Sequence, residues 1–139
     1  MAQFAGGWAT IPLKASADVN PCRFISQTAE NVGTQTAADA DAVGISAEFT
    51  EREPNDLIAT TPWGVHATTG NSITYHVPGQ ICNLDIAGSV SAGNLIKATT
   101  AGKGIAVTGT AYYVLARALT GGSTGDRIPV QIIPSYYKA

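Results

Sequence analysis

The fold is decided by residues 89–133, which read SVSAG NLIKA TTAGK GIAVT GTAYY VLARA LTGGS TGDRI PVQII. Segments rich in Val, Ile, Leu and Tyr alternate here with Gly, Thr and Ser, and they span Val90–Lys97, Tyr113–Leu119 and Gly125–Ile132. β-branched and aromatic residues favour strands, and Gly-rich breaks between them are typical of tight turns. The stretch therefore predicts several β-strands joined by short loops.

The same pattern extends towards the N-terminus. Ser72–Val77 alternates apolar and polar residues, Pro78-Gly79 follows as a turn, and Ile81–Ile86 alternates again, so residues 72–86 predict a hairpin. Cys22–Gln27 has a period of two with apolar residues on both faces. Helical periodicity nowhere exceeds two turns. We predict about eight to ten strands in an all-β domain over residues 21–133, as a small antiparallel β-barrel or a β-sandwich.

Both termini carry apolar residues outside this pattern. Residues 1–20 have no strict period and are followed by Pro21, which predicts an extended N-terminal arm. Pro134 is predicted to end the last strand, which leaves residues 134–139 as a short tail. Such side chains need a surface to cover, either of their own domain or of a partner. The candidate partner-binding residues are Phe4, Trp8, Ile11 and Leu13 in the arm, with Tyr136 and Tyr137 in the tail.

Composition excludes several classes of protein. At 139 residues one domain is expected, and only 13% of the residues are charged, with a net charge of -2. The eight basic residues are spread singly, which argues against nucleic-acid binding. The N-terminus lacks the pattern of a secretory signal, and no stretch approaches the roughly 20 apolar residues of a membrane span. We therefore expect no membrane association.

The two cysteines, Cys22 and Cys82, are expected to be thiols, because proteins made in a reducing cytoplasm rarely form disulfides. A disulfide between them stays open if their strands are neighbours.

Motifs typical of catalytic, metal-binding and phosphate-binding sites are incomplete in this sequence. Gly121–Gly125 has the spacing of a hydrolase nucleophile elbow, but both histidines, His66 and His76, precede it in the chain. Asp39-Ala40-Asp41 begins like a calcium loop and then fails at the later ligand positions. The histidines and cysteines lack zinc spacing, and Gly102-Lys103 lacks the Ser or Thr of a phosphate-binding loop. We therefore predict no enzymatic activity, no cofactor and no metal site.

Three motifs of the second half carry a specific likeness. Ser91–Lys97 reads Ser-Ala-Gly-Asn-Leu-Ile-Lys, and after a Thr- and Gly-rich segment come Ala118-Leu119 and a closing Gly-Asp-x-hydrophobic-x-Val strand at Gly125–Ile132. This succession resembles the capsid decoration, or cement, proteins of tailed bacteriophages. The chain departs from the pattern at Ala116-Arg117, where many such proteins have Gly before the Ala-Leu pair.

The first half adds to this resemblance. Arg23–Ile25 and Ala29–Asn31 look like the opening strand of the family, and Ala42–Ser46 looks like its hydrophobic-Gly-hydrophobic step. The resemblance implies a protein made in the bacterial host cytoplasm that binds the major capsid protein on the exterior of the virion. It would stabilise the shell across the joints between capsomers. The resemblance also favours a homotrimer over the dimer that is commoner among oligomers.

A function of another class remains as an alternative. A carbohydrate- or ligand-binding β module of a virion or cell surface would present aromatic and polar rings together on one exposed face. The residues available for such a platform are Trp63, His66, Tyr75, Tyr112 and Tyr113.

Overall fold

The computed structural model describes residues 12–50 and 65–139, and these form eleven strands and one short 3-10 turn at Thr100–Gly102. The strands are β1 (Leu13–Ala15), β2 (Phe24–Ala29), β3 (Val32–Gln35), β4 (Gly44–Ser46), β5 (Ser72–Ile73), β6 (Tyr75–His76), β7 (Ile81–Asp85), β8 (Leu95–Ala98), β9 (Gly104–Ala106), β10 (Tyr112–Ala118) and β11 (Arg127–Lys138). They divide between two sheets. The all-β prediction is confirmed, and of the two predicted architectures the sandwich-like arrangement fits.

The first sheet has the order β5-β1-β3-β2-β4-β6, in which β1 and β3 are parallel and the other pairs antiparallel. Its two edge strands, β5 and β6, are separated in the chain only by Thr74. The sheet is therefore curled, so that its two edges lie close together. The curl encloses a small apolar cluster of Leu13, Ala15, Val19, Ile25, Ala67 and Ile73.

The second sheet has the order β7-β11-β10-β8-β9 and is antiparallel throughout. An isolated parallel bridge joins Ile86, next to β7, to Gly104 at the start of β9, so the two edges of this sheet also approach each other. A Cβ on Gly104 would lie 2.5 Å from Leu84 Cδ2 and 2.9 Å from Ile96 Cγ2. Only glycine leaves room for this approach.

The larger apolar cluster lines this second sheet and receives Phe24 and Ile45 from the first, so it holds the two sheets together. In β2, Phe24 belongs to the larger cluster, whereas the adjacent Ile25 belongs to the smaller one. Both are almost fully buried, at 1% and 0% exposed. Successive side chains of a strand point to opposite faces, so β2 has both faces covered, as its alternation predicts.

The predicted hairpin over residues 72–86 is wrong. The turn at Pro78-Gly79 exists, with the Gln80 amide donating to the Val77 carbonyl at 3.1 Å, but β6 pairs with β4 while β7 pairs with β11. The turn therefore carries the chain from one sheet to the other.

Pro134 does not end the last strand, which runs on to Lys138. Ala116 pairs with Ile132 and Val114 with Tyr136, so β11 has two more residues than β10 between these pairs. Pro134 lies in this bulge, where the missing N–H of proline is tolerated.

The structure also shows where the predicted terminal segments lie. Within the predicted arm, Leu13–Ala15 forms β1 between β3 and β5, and Val19 bridges to Ala67. Within the predicted tail, residues 134–138 belong to β11.

Candidate interaction surface

The six predicted partner-binding residues have different positions. Phe4, Trp8 and Ile11 lie outside the described residues. Leu13 is 1% exposed and packs in the smaller apolar cluster, so its side chain contacts its own domain. Tyr136 and Tyr137 are 47% and 55% exposed at the end of β11. The tyrosine pair is therefore the part of the predicted set that the described structure presents to a partner.

The end of β11 is held by β10 on one side. Tyr136 pairs with Val114, Tyr137 with Tyr113, and Lys138 with Tyr112, and the Ala111 amide donates to the Lys138 carbonyl at 2.8 Å. This pairing fixes the backbone that carries both tyrosines. The strand end is therefore a defined element of the second sheet.

The other side of this strand end has no partner strand among residues 12–50 and 65–139. β7 pairs with β11 only as far as Gln131, and beyond it Ile132 exchanges backbone hydrogen bonds with Gly79 and Gln80 at 2.8 and 2.9 Å. Unpaired strand edges invite association with other chains, and Pro and Lys on an edge limit uncontrolled pairing. Pro134 and Lys138 place such residues here, which favours contact through side chains over strand addition.

The two tyrosines point to opposite faces of the strand, because neighbouring side chains alternate. Tyr137 packs on Tyr113 with ring centroids 5.2 Å apart and an interplanar angle of 57°. Its neighbour Tyr136 lies across from the buried Val114. Exposed tyrosines with fixed rings suit protein interfaces, since they add large contact area at a low cost in conformational entropy.

A second exposed apolar residue was missed by the sequence analysis. Ile81 is 62% exposed in β7, where it pairs with Gln131 of β11. It stands at a groove of about 360 Å³ whose lining includes Cys22, His76 and Cys82. The alternation in Ile81–Ile86 was a usable signal, since it places Ile81 on the face opposite Cys82.

Both cysteines are free. Burial raises the pKa of Cys22 from an ordinary value of 9.0 to about 12. Burial, and after it the nearby Cys22, raises the pKa of Cys82 to about 12 as well. A thiol must ionise to act as a nucleophile, so we expect both thiols to react slowly at neutral pH.

We predict that iodoacetamide modifies both native thiols at least about a hundredfold more slowly near pH 8 than in the urea-unfolded chain, because only the thiolate reacts. Mass spectrometry of the alkylated peptides measures this. A disulfide-bridged peptide pair, or equal rates in the two states, would contradict the prediction.

The same pKa values set a pH dependence of stability. The unfolded chain releases these protons near pH 9 and the folded chain near pH 12. The contribution of the two protonated thiols to the free energy of unfolding is fully present below pH 9, and it is lost as the pH rises towards 12. Urea unfolding of the native chain and of a Cys22→Ala variant, near pH 8 and near pH 10.5, should show a smaller alkaline loss in the variant.

The described residues of the alternative aromatic platform, His66, Tyr75, Tyr112 and Tyr113, do not share an exposed face. Trp63 lies outside the described residues, His66 is 2% exposed, and Tyr112 is 3% exposed. The ring of His66 is engaged internally, since its Nδ1 lies 2.8 Å from the Phe49 carbonyl and its Nε2 accepts from the Thr74 amide at 3.0 Å.

The other two platform residues are apart from each other as well. Tyr75 packs against the smaller apolar cluster, and Tyr113 contacts Tyr137. The described members of this set therefore serve packing in two different parts of the molecule.

The described part of the chain lacks two further features. No three His, Cys, Asp or Glu side chains there converge as a metal site would require. No helix there has the length and apolar character needed to cross a membrane.

Comparison with known proteins shows a similarity of fold and none of sequence. No protein-family model matches this sequence, and no curated protein sequence does. Among solved structures, the fold is similar to that of the N base of head fiber gp8.5 of bacteriophage phi29, with a TM-score of 0.64. The match covers 88% of this chain and 91% of that chain at 10% sequence identity. The two chains thus share a fold over most of their length.

Proposed function

We propose that this protein is a structural component of a phage head, a decoration protein that binds the outer surface of the shell and stabilises it. Two independent findings support the proposal. The sequence motifs at Ser91–Lys97 and Gly125–Ile132 resemble phage decoration proteins, and the fold is similar to a protein that is named as part of a phage head fiber. At 10% identity this similarity concerns the fold, so the role is a proposal.

The observation that carries the proposal is the exposed strand end with Tyr136 and Tyr137. Aromatic residues are enriched in the buried centres of protein interfaces, and charged residues are depleted there. Here both tyrosines are about half exposed on a backbone fixed by β10. A rigid aromatic element of this kind is expected to bind a preformed groove on a protein surface.

The proposed mechanism is mass action. A protein that binds a site formed only by the assembled major capsid protein lowers the free energy of the assembled state and leaves that of the free subunits unchanged. Bonds across the joints between capsomers would therefore stabilise the closed shell with no catalytic step. Phe4, Trp8 and Ile11 are proposed as additional contacts of the same kind.

We also propose that the bound form is a trimer at a threefold joint of capsid subunits. Closed symmetry is the rule for homo-oligomers, and three copies present three identical sets of contacts to a threefold site. Weak contacts then combine, because binding of one raises the effective concentration of the others.

The test is binding to phage heads from which the protein is absent. We expect the purified chain to sediment with such heads, to raise the temperature at which they rupture, and to appear as threefold density on their exterior by electron microscopy. The matched control is unassembled capsid protein, which should not bind. Failure to bind intact heads would overturn the function, while density with another symmetry would overturn only the trimer.

A further inference from the structure

A groove of about 380 Å³ lies where the two sheets meet, away from the tyrosine pair. It is lined by Arg23, Asp85, Ile86, Lys103, Gly125 and Arg127. These residues come from the segment before β2, the end of β7, the turn before β9 and the start of β11. A Cβ on Gly125 would meet no atom within 4 Å, so this side of the groove is open to an incoming group.

Asp85 fixes both arginines of the groove. Arg23 Nε lies 3.2 Å from Asp85 Oδ2, and Arg127 Nε lies 2.8 Å from Asp85 Oδ1. The Arg23 guanidinium also donates from Nη1 to the Ala101 carbonyl at 3.0 Å. The side chains of Arg23 and Asp85 are only 12% and 19% exposed, so this arrangement is held inside the wall of the groove.

Both arginines keep N–H groups that are not used in these bonds. A guanidinium carries five N–H groups, and the hydrogen bonds within the described residues use Nε of both arginines and Nη1 of Arg23. Their Nη2 groups donate to no described residue. Lys103 makes no ion pair within residues 12–50 and 65–139. The groove thus combines fixed planar donors with a free ammonium group.

The charges of the groove do not cancel. Among the lining residues, Arg23, Lys103 and Arg127 contribute three positive charges and Asp85 one negative charge. Glu48 lies outside the lining and adds a second negative charge, since its Oε1 is 3.6 Å from Arg127 Nη1. One positive charge remains, although the whole chain has a net charge of -2. The hydrogen bond to Asp85 raises the pKa of Arg127, which keeps this guanidinium charged.

We propose that this groove binds a carboxylate of an acidic side chain on a partner protein. One unbalanced positive charge matches a single carboxylate, and the remaining Nη2 groups of the two arginines can donate charge-assisted hydrogen bonds to its oxygens. The groove has room for the side chain that bears the carboxylate as well as for the carboxylate itself. Identifying the partner as the capsid protein rests on the proposed function, whereas the carboxylate site does not.

The test is a titration of the folded protein with a capped Gly-Glu-Gly peptide, followed by NMR of the arginine Nε–H and lysine side-chain signals. We expect saturable shifts of Arg23, Arg127 and Lys103, with a dissociation constant on the order of 10 mM for this short probe. The capped Gly-Gln-Gly peptide, which differs only in lacking the charge, should cause no saturable shift. Lys103→Glu should abolish the response, while Lys14→Glu, the same charge change at an exposed residue of the otherwise buried β1, should retain it.

The outcomes separate this site from the decoration function. Equal responses to the Glu and Gln peptides, no saturable response, or a response to inorganic phosphate alone would each overturn the carboxylate site. If the native chain binds heads but the titration gives no saturable shift, this inference is wrong and the decoration function is unaffected. A positive titration in a chain that does not bind heads would support the carboxylate site, while overturning the decoration function and with it the capsid protein as the partner.

Discussion

Gly44→Ala is expected to unfold much of the first sheet. Gly44 lies in β4, which pairs with β2 on one side and β6 on the other. A Cβ at this position would lie 1.9 Å from the His76 carbonyl oxygen, 3.0 Å from the His76 carbonyl carbon and 2.9 Å from Tyr75 Cδ2. The oxygen belongs to the backbone of β6, so it can move away only if the pairing of β4 with β6 is lost.

We expect Gly44→Ala to lower the free energy of unfolding by at least about 3 kcal/mol, the upper end of what overpacking costs. In a domain of this size that corresponds to a fall in melting temperature of roughly 10 °C. Denaturant and thermal unfolding followed by circular dichroism give both quantities.

Gly121→Ala is the matched control. The added Cβ would lie 3.3 Å from the Val90 carbonyl oxygen and 3.9 Å from Ser91 Cα, which needs only a small adjustment. Its expected effect is below about 1 kcal/mol. Equal stability of the two variants would show that β4 and β6 are not in the close contact described.

The strands themselves were predictable because each carries a local signal. Val130 and Ile132 are buried and alternate with exposed or half-exposed neighbours, which is the period that the sequence shows. Pairing partners were less accessible. The backbone groups of a strand edge are the same in every sequence, so nothing in residues 72–86 distinguishes β11 from β6 as the neighbour of β7. The predicted hairpin failed for this reason.

The candidate surface was predictable in part. Adjacent aromatic residues near a terminus pointed to Tyr136 and Tyr137, which are exposed. Leu13 has the same apolar character and yet is buried in β1. This strand has only three residues, which is too short to show a strand period in the sequence, so the burial of Leu13 could not be predicted.

The groove lined by Arg23, Lys103 and Arg127 could not be predicted from the sequence, since Arg23 and Lys103 are 80 positions apart and no local pattern links them. Packing of the two sheets brings these side chains together.

Replacing Tyr136 and Tyr137 together by serine is expected to weaken binding to phage heads by at least about a hundredfold. Buried aromatic residues dominate protein interfaces, where truncating one often costs 2 kcal/mol or more, and about 1.4 kcal/mol corresponds to a tenfold change in affinity. Cosedimentation with heads that lack the protein, over a range of protein concentrations, measures the change. In a trimer the loss is repeated in each copy, so the measured effect should exceed that of isolated chains.

The fold of this variant should persist, because both side chains are about half exposed and make no part of either apolar cluster. The expected structural loss is the ring contact between Tyr113 and Tyr137, roughly 1 kcal/mol by unfolding. Leu119→Ser is the matched control, since Leu119 is 39% exposed just beyond the other end of β10. Because the paired strand end, and not exposed apolar area in general, is the proposed contact, the control should bind within threefold of the native chain. Native-like binding by the double variant would exclude the strand end as the capsid contact, whereas equal losses in the two variants would indicate a contact spread over the second sheet.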